Sequence, residues 1–158
     1  MVGLCPKSIG ITMRTNWLTL IATLSGFAFA LNLPWEFIQC GLFFVHGTIP
    51  PTYGGMVLSS FGDVLITWLI FGLCAAWTRD ARWIKCEPKK WPWGLIVLLC
   101  LTISVAIEIY ALATGRWSYK PAAPLLPVLK VSIIPILQLL VLVPLSYLAS
   151  RYVVWRKA

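Results

Sequence analysis

The sequence predicts an all-α fold: an integral membrane four-helix bundle forming one polytopic domain over residues 1–158. Three observations predict it. Hydrophobic residues fill 59% of the 158 positions and charged residues only 11%, whereas soluble domains carry roughly 25% charged residues. Mean hydropathy is +0.85. The apolar residues fall into four long runs separated by turn formers or clustered charge. A soluble domain this short buries only a limited fraction of its surface, and hydrocarbon solvent removes that difficulty.

The first run, from Trp17 to about Val45, is too long for a signal-peptide core and has no small-residue cleavage site with polar sequence after it. A helix of ~20 residues crosses the hydrocarbon. This run exceeds that and contains Pro34, so a kink is expected near Asn32–Pro34, with the Asn32 amide available to satisfy the freed carbonyl. His46 to Gly55 is rich in turn formers and reads as a short outer loop, with His46 an ordinary interfacial residue. The second helix is expected over about 56–77. A polar loop carrying Arg79, Asp80, Arg82, Lys85, Glu87, Lys89 and Lys90 follows. The third helix is expected over about 92–113 and the fourth over about 129–150, interrupted by Pro135 and Pro144.

Orientation follows from the bases. With the N-terminus in the cytoplasm, ten bases lie inside: Lys7, Arg14, five in the middle loop, and Arg151, Arg156 and Lys157. Three, Arg116, Lys120 and Lys130, lie outside. The positive-inside rule therefore favours both termini inside. Trp17, Trp77, Trp83, Trp91, Trp93 and Trp155 fall near the inner boundary, where an aromatic belt is expected.

Composition also narrows the function classes. The net charge of +8 lies at membrane edges, where it sets topology and meets anionic headgroups, so nucleic acid is not an expected partner. The five cysteines form no C-x-x-C pair and read as small apolar packers. One histidine cannot supply bis-histidine haem ligation, and the intramembrane acids lack metal-motif spacing, so neither cofactor nor metal is expected.

Three carboxylates fall inside apolar runs: Glu36, Asp63 and Glu108. A charge at mid-bilayer costs at least ~2.5–3.5 kcal/mol, so such residues face a bundle interior or a cavity. Counted along the helices, all three reach the outer half of the membrane, which points to one site. Arg116 follows the third helix closely and can pair bidentately with a carboxylate or an anionic headgroup. Trp35, Trp117 and Tyr119 supply aromatic surface, while Asn32 and Gln138 are polar groups able to bond across helices. Plain structural alternatives stand beside these readings. Arg116 paired with Glu108 or Asp63 can simply lock the bundle, and Gly62 can serve close helix packing.

The segments Asn32-Leu33-Pro34-Trp35-Glu36, Gly62-Asp63-Val64, Gly115-Arg116-Trp117-Ser118-Tyr119 and Pro135-Ile136-Leu137-Gln138 resemble a family of small uncharacterised bacterial inner-membrane proteins. That resemblance spans roughly residues 31–145 and implies a multi-pass protein of the bacterial inner membrane without implying an activity. Gly115, Trp117, Tyr119 and Pro135 also resemble a turn in small-subunit carotenoid (lycopene) cyclases, whose intramembrane carboxylates protonate a polyene. Leu137-Gln138 replaces the paired glutamates that follow the proline in those enzymes.

Three functions fit the pattern. The first is an acid/base enzyme acting on a lipid or isoprenoid. Glu36 or Asp63, kept protonated by apolar surroundings, is then the general acid, and Glu108, paired with Arg116, the ionised partner. Trp35, Trp117 and Tyr119 would shape the substrate. The second is a proton- or cation-coupled transporter, which needs at least a homo-oligomer because four helices are few. The third is an accessory subunit of a larger membrane complex. Membrane lipids are partners in all three.

Overall fold

The computed structural model describes residues 17–46 and 52–155. Expectations that fall on Lys7, Arg14, Arg156, Lys157 and the middle of the loop expected over residues 46–55 lie outside those residues. The chain forms α1 (Trp17–Leu42), a short strand β1 (Phe44–His46) and α2 (Tyr53–Thr78). Two 3-10 turns follow (Trp83–Lys85 and Pro88–Lys90), then α3 (Trp93–Ala113), β2 (Trp117–Tyr119) and α4 (Ile133–Trp155). All four helices are long and apolar enough to cross a membrane. The chain is an integral membrane four-helix bundle.

Helix ends depart from expectation for local reasons. The first helix stops at Leu42, and residues 44–46 instead pair antiparallel with β2, Phe44 opposite Tyr119 and His46 opposite Trp117. Lys120 Nζ donates to the Gly41 carbonyl (2.6 Å), occupying an acceptor that the end of α1 leaves open. Helix α2 starts at Tyr53, three residues early, because Thr52 Oγ1 accepts from the Gly55 N–H (3.1 Å). The last helix begins at Ile133 rather than about 129. Lys130 adopts a left-handed conformation (φ 53°) inside a tight turn, and Ser132 Oγ accepts from the Ile134 N–H (3.2 Å) as a cap. Pro135 thus falls in the first turn, where its missing N–H is not needed, and Pro144 sits within a continuous helix.

Helix α1 likewise runs through Pro34 from Trp17 to Leu42. The Asn32 amide does not serve the carbonyl that Pro34 frees at Ala30; Nδ2 donates to the Ala28 carbonyl (2.8 Å). Helix α1 packs on both α2 and α4, and α3 packs on α4; of the neighbouring helix pairs, α2 and α3 touch least.

Each helix buries a stripe at helical spacing, and two of the stripes grade in polarity. On α1 it reads Leu20, Leu24, Ala28, Asn32, Glu36, and on α3 Ile96, Cys100, Ser104, Glu108. The apolar ends meet near the basic loop, where Leu20, Leu24, Ile70, Cys74, Ile96, Cys100, Leu139 and Val143 form the core. The polar ends meet below the β1–β2 strand pair.

The basic end is sealed by aromatic residues. Trp83 and Trp91 are 3% and 4% exposed, so they belong to the core and not to the expected lipid-facing belt. The reason is a set of internal partners. The Trp83 indole donates to the Phe71 carbonyl (3.2 Å), that of Trp91 to the Cys86 carbonyl (3.0 Å), and Trp83 packs edge-on to Tyr147 at 5.3 Å. Trp77, by contrast, is 67% exposed, as a belt residue should be. Cys40, Cys74 and Cys100 are free and buried, whereas Cys86 is disulfide-bonded rather than a simple packer.

Candidate functional site

The polar ends of the stripes border a cavity of about 680 Å³ at the end of the bundle that carries the β1–β2 pair. Glu36 comes from α1, Asp63 from α2, Glu108 from α3 and Gln138 from α4, with Arg116 and Trp117 at the rim beside the strand pair. All three intramembrane carboxyl groups therefore share one cavity. Asn32, Trp35 and Tyr119 are not among its lining residues; each instead holds a residue that is.

Gln138 is the hub. Its Nε2 lies 2.8 Å from Asn32 Oδ1, 3.0 Å from Glu36 Oε1 and 3.0 Å from Asp63 Oδ2. An amide nitrogen has two hydrogens, so three oxygens from two other helices compete for them. Glu36 Oε1 gains a second donor from Gln39 Nε2 (2.6 Å), and the Trp35 indole in turn donates to Gln39 Oε1 (3.2 Å). Trp35 thus orients Gln39 instead of facing the cavity. Gln39 is the member that sequence reading missed. Its signal was its place three residues after Glu36, on the same helical face.

Glu108 forms the second carboxyl group of partners. The Tyr119 hydroxyl donates to Glu108 Oε2, and the Ser132 backbone N–H donates to the same phenol oxygen (3.0 Å). Burial and the Glu108 carboxyl hold the Tyr119 phenol above the ordinary tyrosine range, so it remains a proton donor. The Trp117 indole and the Ser132 backbone N–H also face this buried carboxyl. The expected Arg116 pairing does not form. Among the described residues the ion pair is Lys89–Glu87 (2.9 Å), at the opposite end and largely exposed. Arg116 is itself exposed at the rim. Tyr119 displaces it because the β1–β2 pairing brings the phenol to the end of α3.

The turn that delivers Tyr119 depends on Gly115. Its φ of +65° is left-handed, and the N–H groups of Gly115 and Arg116 return to the carbonyls of Leu112 (3.2 Å) and Ala111 (2.9 Å). Gly62 has a different role from the close packing considered above. A Cβ there would meet nothing within 4 Å, and Gly62 lines the cavity.

Below the cavity the described polar groups are satisfied within the bundle. Thr67 Oγ1 donates to the Asp63 carbonyl (2.8 Å), the Tyr147 hydroxyl to the Thr67 carbonyl (2.8 Å) and Ser146 Oγ to the Leu142 carbonyl (2.7 Å). No group of three or more metal-ligating side chains occurs among the described residues. Comparison with protein-family models, with characterised proteins and with solved structures finds no match for this chain.

Proposed function

We propose that the cavity is an acid/base site acting on a lipid or isoprenoid taken from the outer leaflet of a bacterial inner membrane. One observation carries the reading. Three helices place carboxyl groups in a single cavity whose other walls are largely apolar, and the bundle beneath it is packed and sealed. Its volume falls within the range of small-molecule sites, roughly 300–1,000 Å³. The outer-leaflet assignment rests on the positive-inside bias of the loops.

The two carboxyl sets take different roles. Glu36 and Asp63 share one amide that has too few hydrogens for its acceptors, so a proton carried on that pair completes the network and is available for delivery. Glu108, held by Tyr119 and flanked by the Trp117 indole, accepts a proton or stabilises developing positive charge. Arg116 at the rim meets lipid headgroups. Access runs sideways, between α2 and α3, the neighbouring pair that touches least, where Leu58, Ser59 and Ile107 line the cavity. A transporter would need a polar path to the other face. The apolar core and the Trp83–Trp91–Tyr147 seal favour a site served from one side.

The test is mass spectrometry of lipids that accompany the protein through purification in mild detergent, wild type beside Glu108→Gln. A single lipid or isoprenoid, lost or changed in the variant, is the expected result. Bulk membrane lipid alone in both samples would remove the proposal.

A further inference from the structure

The two carboxyl groups that share Gln138 are unequally supplied with hydrogens. Glu36 Oε1 faces two amide nitrogens, Gln39 Nε2 (2.6 Å) and Gln138 Nε2 (3.0 Å), and the Cys40 thiol faces Oε2 at 4.0 Å. Asp63 has only the Gln138 nitrogen, 3.0 Å from Oδ2, as a side-chain donor among the described residues. That nitrogen carries two hydrogens for three oxygens, and Asn32 Oδ1 is the nearest at 2.8 Å. Donors aimed at a carboxyl group favour its ionised form. The hydrogen count therefore leaves Glu36 as the carboxylate and Asp63 as the oxygen pair short of a hydrogen.

The asymmetry is set from outside the pair. An indole nitrogen donates and cannot accept, so the Trp35 Nε1 bond to Gln39 Oε1 (3.2 Å) fixes which way the Gln39 amide points. Its nitrogen must then face Glu36. The three residues sit together on α1 at helical spacings, so this arrangement is local to one helix. Position matches the division of roles. Glu36 and Gln39 are each 7% exposed, whereas Asp63 is half-buried and borders the cavity beside Gly62, where a Cβ would meet only open space.

We infer that Trp35 and Gln39 are positioning residues that hold Glu36 ionised, which makes Asp63 the group that carries the proton and delivers it into the cavity. Delivery breaks the Asp63 O–H bond, leaves its electron pair on the carboxylate and adds one positive charge to the substrate. The inference deepens the acid/base reading and rests on it for that delivery; the place of the proton at rest stands on the hydrogen-bond geometry.

Dicyclohexylcarbodiimide, an apolar reagent that adds to protonated carboxyl groups, tests this through peptide mapping of its adducts on the full chain in mild detergent. At neutral pH, wild type is expected to label at Asp63 over Glu36 by at least about tenfold, the change in proton partition that one hydrogen bond to a charged group makes. Gln39→Leu should move the label onto Glu36. Trp35→Phe, which keeps an aromatic ring and drops the indole N–H, should move part of it, and it keeps the test decisive if Gln39→Leu does not fold. A merely structural role for either residue would lower the folded yield and leave the labelling ratio alone. Equal labelling of Glu36 and Asp63 in wild type, no adduct on either, or an unchanged ratio in every folded variant would overturn the inference. If Asp63 takes the label as expected while Asp63→Asn leaves the membrane lipids unchanged, the proton assignment stands and the acid/base reading falls. If Asp63→Asn changes the lipids while Glu36 takes the label in wild type, the acid/base reading stands and the assignment falls.

Discussion

Replacing Gln138 by leucine removes the donor that ties three helices together, and its cost can be worked from the partners it leaves behind. Leucine is close in size, so packing against α1 changes little and the loss is mainly polar. Glu36 Oε1 keeps Gln39 as a donor at 2.6 Å. Asn32 Oδ1 is buried and accepts no other hydrogen bond among the described residues, and Asp63 Oδ2 loses the amide while half-facing the cavity. Each buried acceptor left without a partner costs about 1–3 kcal/mol. Side-chain hydrogen bonds in membrane bundles average nearer ~0.6 kcal/mol, with a maximum of ~1.7, because the unfolded chain in the membrane finds partners too. Two orphaned acceptors, one of them within reach of cavity water, therefore give an expected loss of about 2–3 kcal/mol. The assay is equilibrium unfolding in mixed micelles with rising dodecyl sulfate, followed by circular dichroism, beside Ser59→Ala as a control at the cavity mouth. A Gln138→Leu protein within ~0.5 kcal/mol of wild type would refute the hub role, since surface substitutions alone reach that value.

Other perturbations have equally definite outcomes. Tyr119→Phe removes the donor to Glu108 and the acceptor for the Ser132 N–H, so about 1–3 kcal/mol of stability should go. In a Glu108→Gln background that cost should shrink by more than ~0.5 kcal/mol, and strict additivity in the double-mutant cycle would contradict the pairing. Trp83→Ala should cost about 3–5 kcal/mol as a core truncation, while Trp77→Ala should stay within ~0.5 kcal/mol; equal effects would restore the belt reading of Trp83. Gly62→Ala should raise stability by about 0.5–1 kcal/mol, because helix propensity improves and the added methyl meets open space. A loss of stability there would show that the wall is packed. Reporter fusions after Lys90 and after Arg116 fix the orientation: the loop charges predict activity of a cytoplasmic reporter at Lys90. Cys86 in that same loop is disulfide-bonded, which an oxidising compartment favours, so the reverse result is the specific alternative.

Much of this architecture was readable from residue order because the hydrocarbon allows few solutions. Four apolar runs of spanning length had to become helices, and counting residues from their ends put Glu36, Asp63 and Glu108 at one depth, where a single cavity brings them together. The graded stripes from Leu20 to Glu36 and from Ile96 to Glu108 carried the same message at four-residue spacing. What stayed hidden depends on which way a side chain faces. Trp83 and Trp91 sit next to charged residues in sequence exactly as belt tryptophans do, and only the folding-back of the 3-10 turns buries them. The choice between Arg116 and Tyr119 as the partner of Glu108 turns on the register of a long-range pair of three-residue strands, which no periodicity encodes. The late start of α4 follows from left-handed Lys130, a conformation unusual for lysine.

The most direct test of the acid/base account compares lipid extracts of membranes from cells expressing wild type or Asp63→Asn at matched levels of folded protein. The account predicts a lipid or isoprenoid species formed with wild type and its precursor accumulating with the variant. Identical lipid profiles in the two membranes would contradict it.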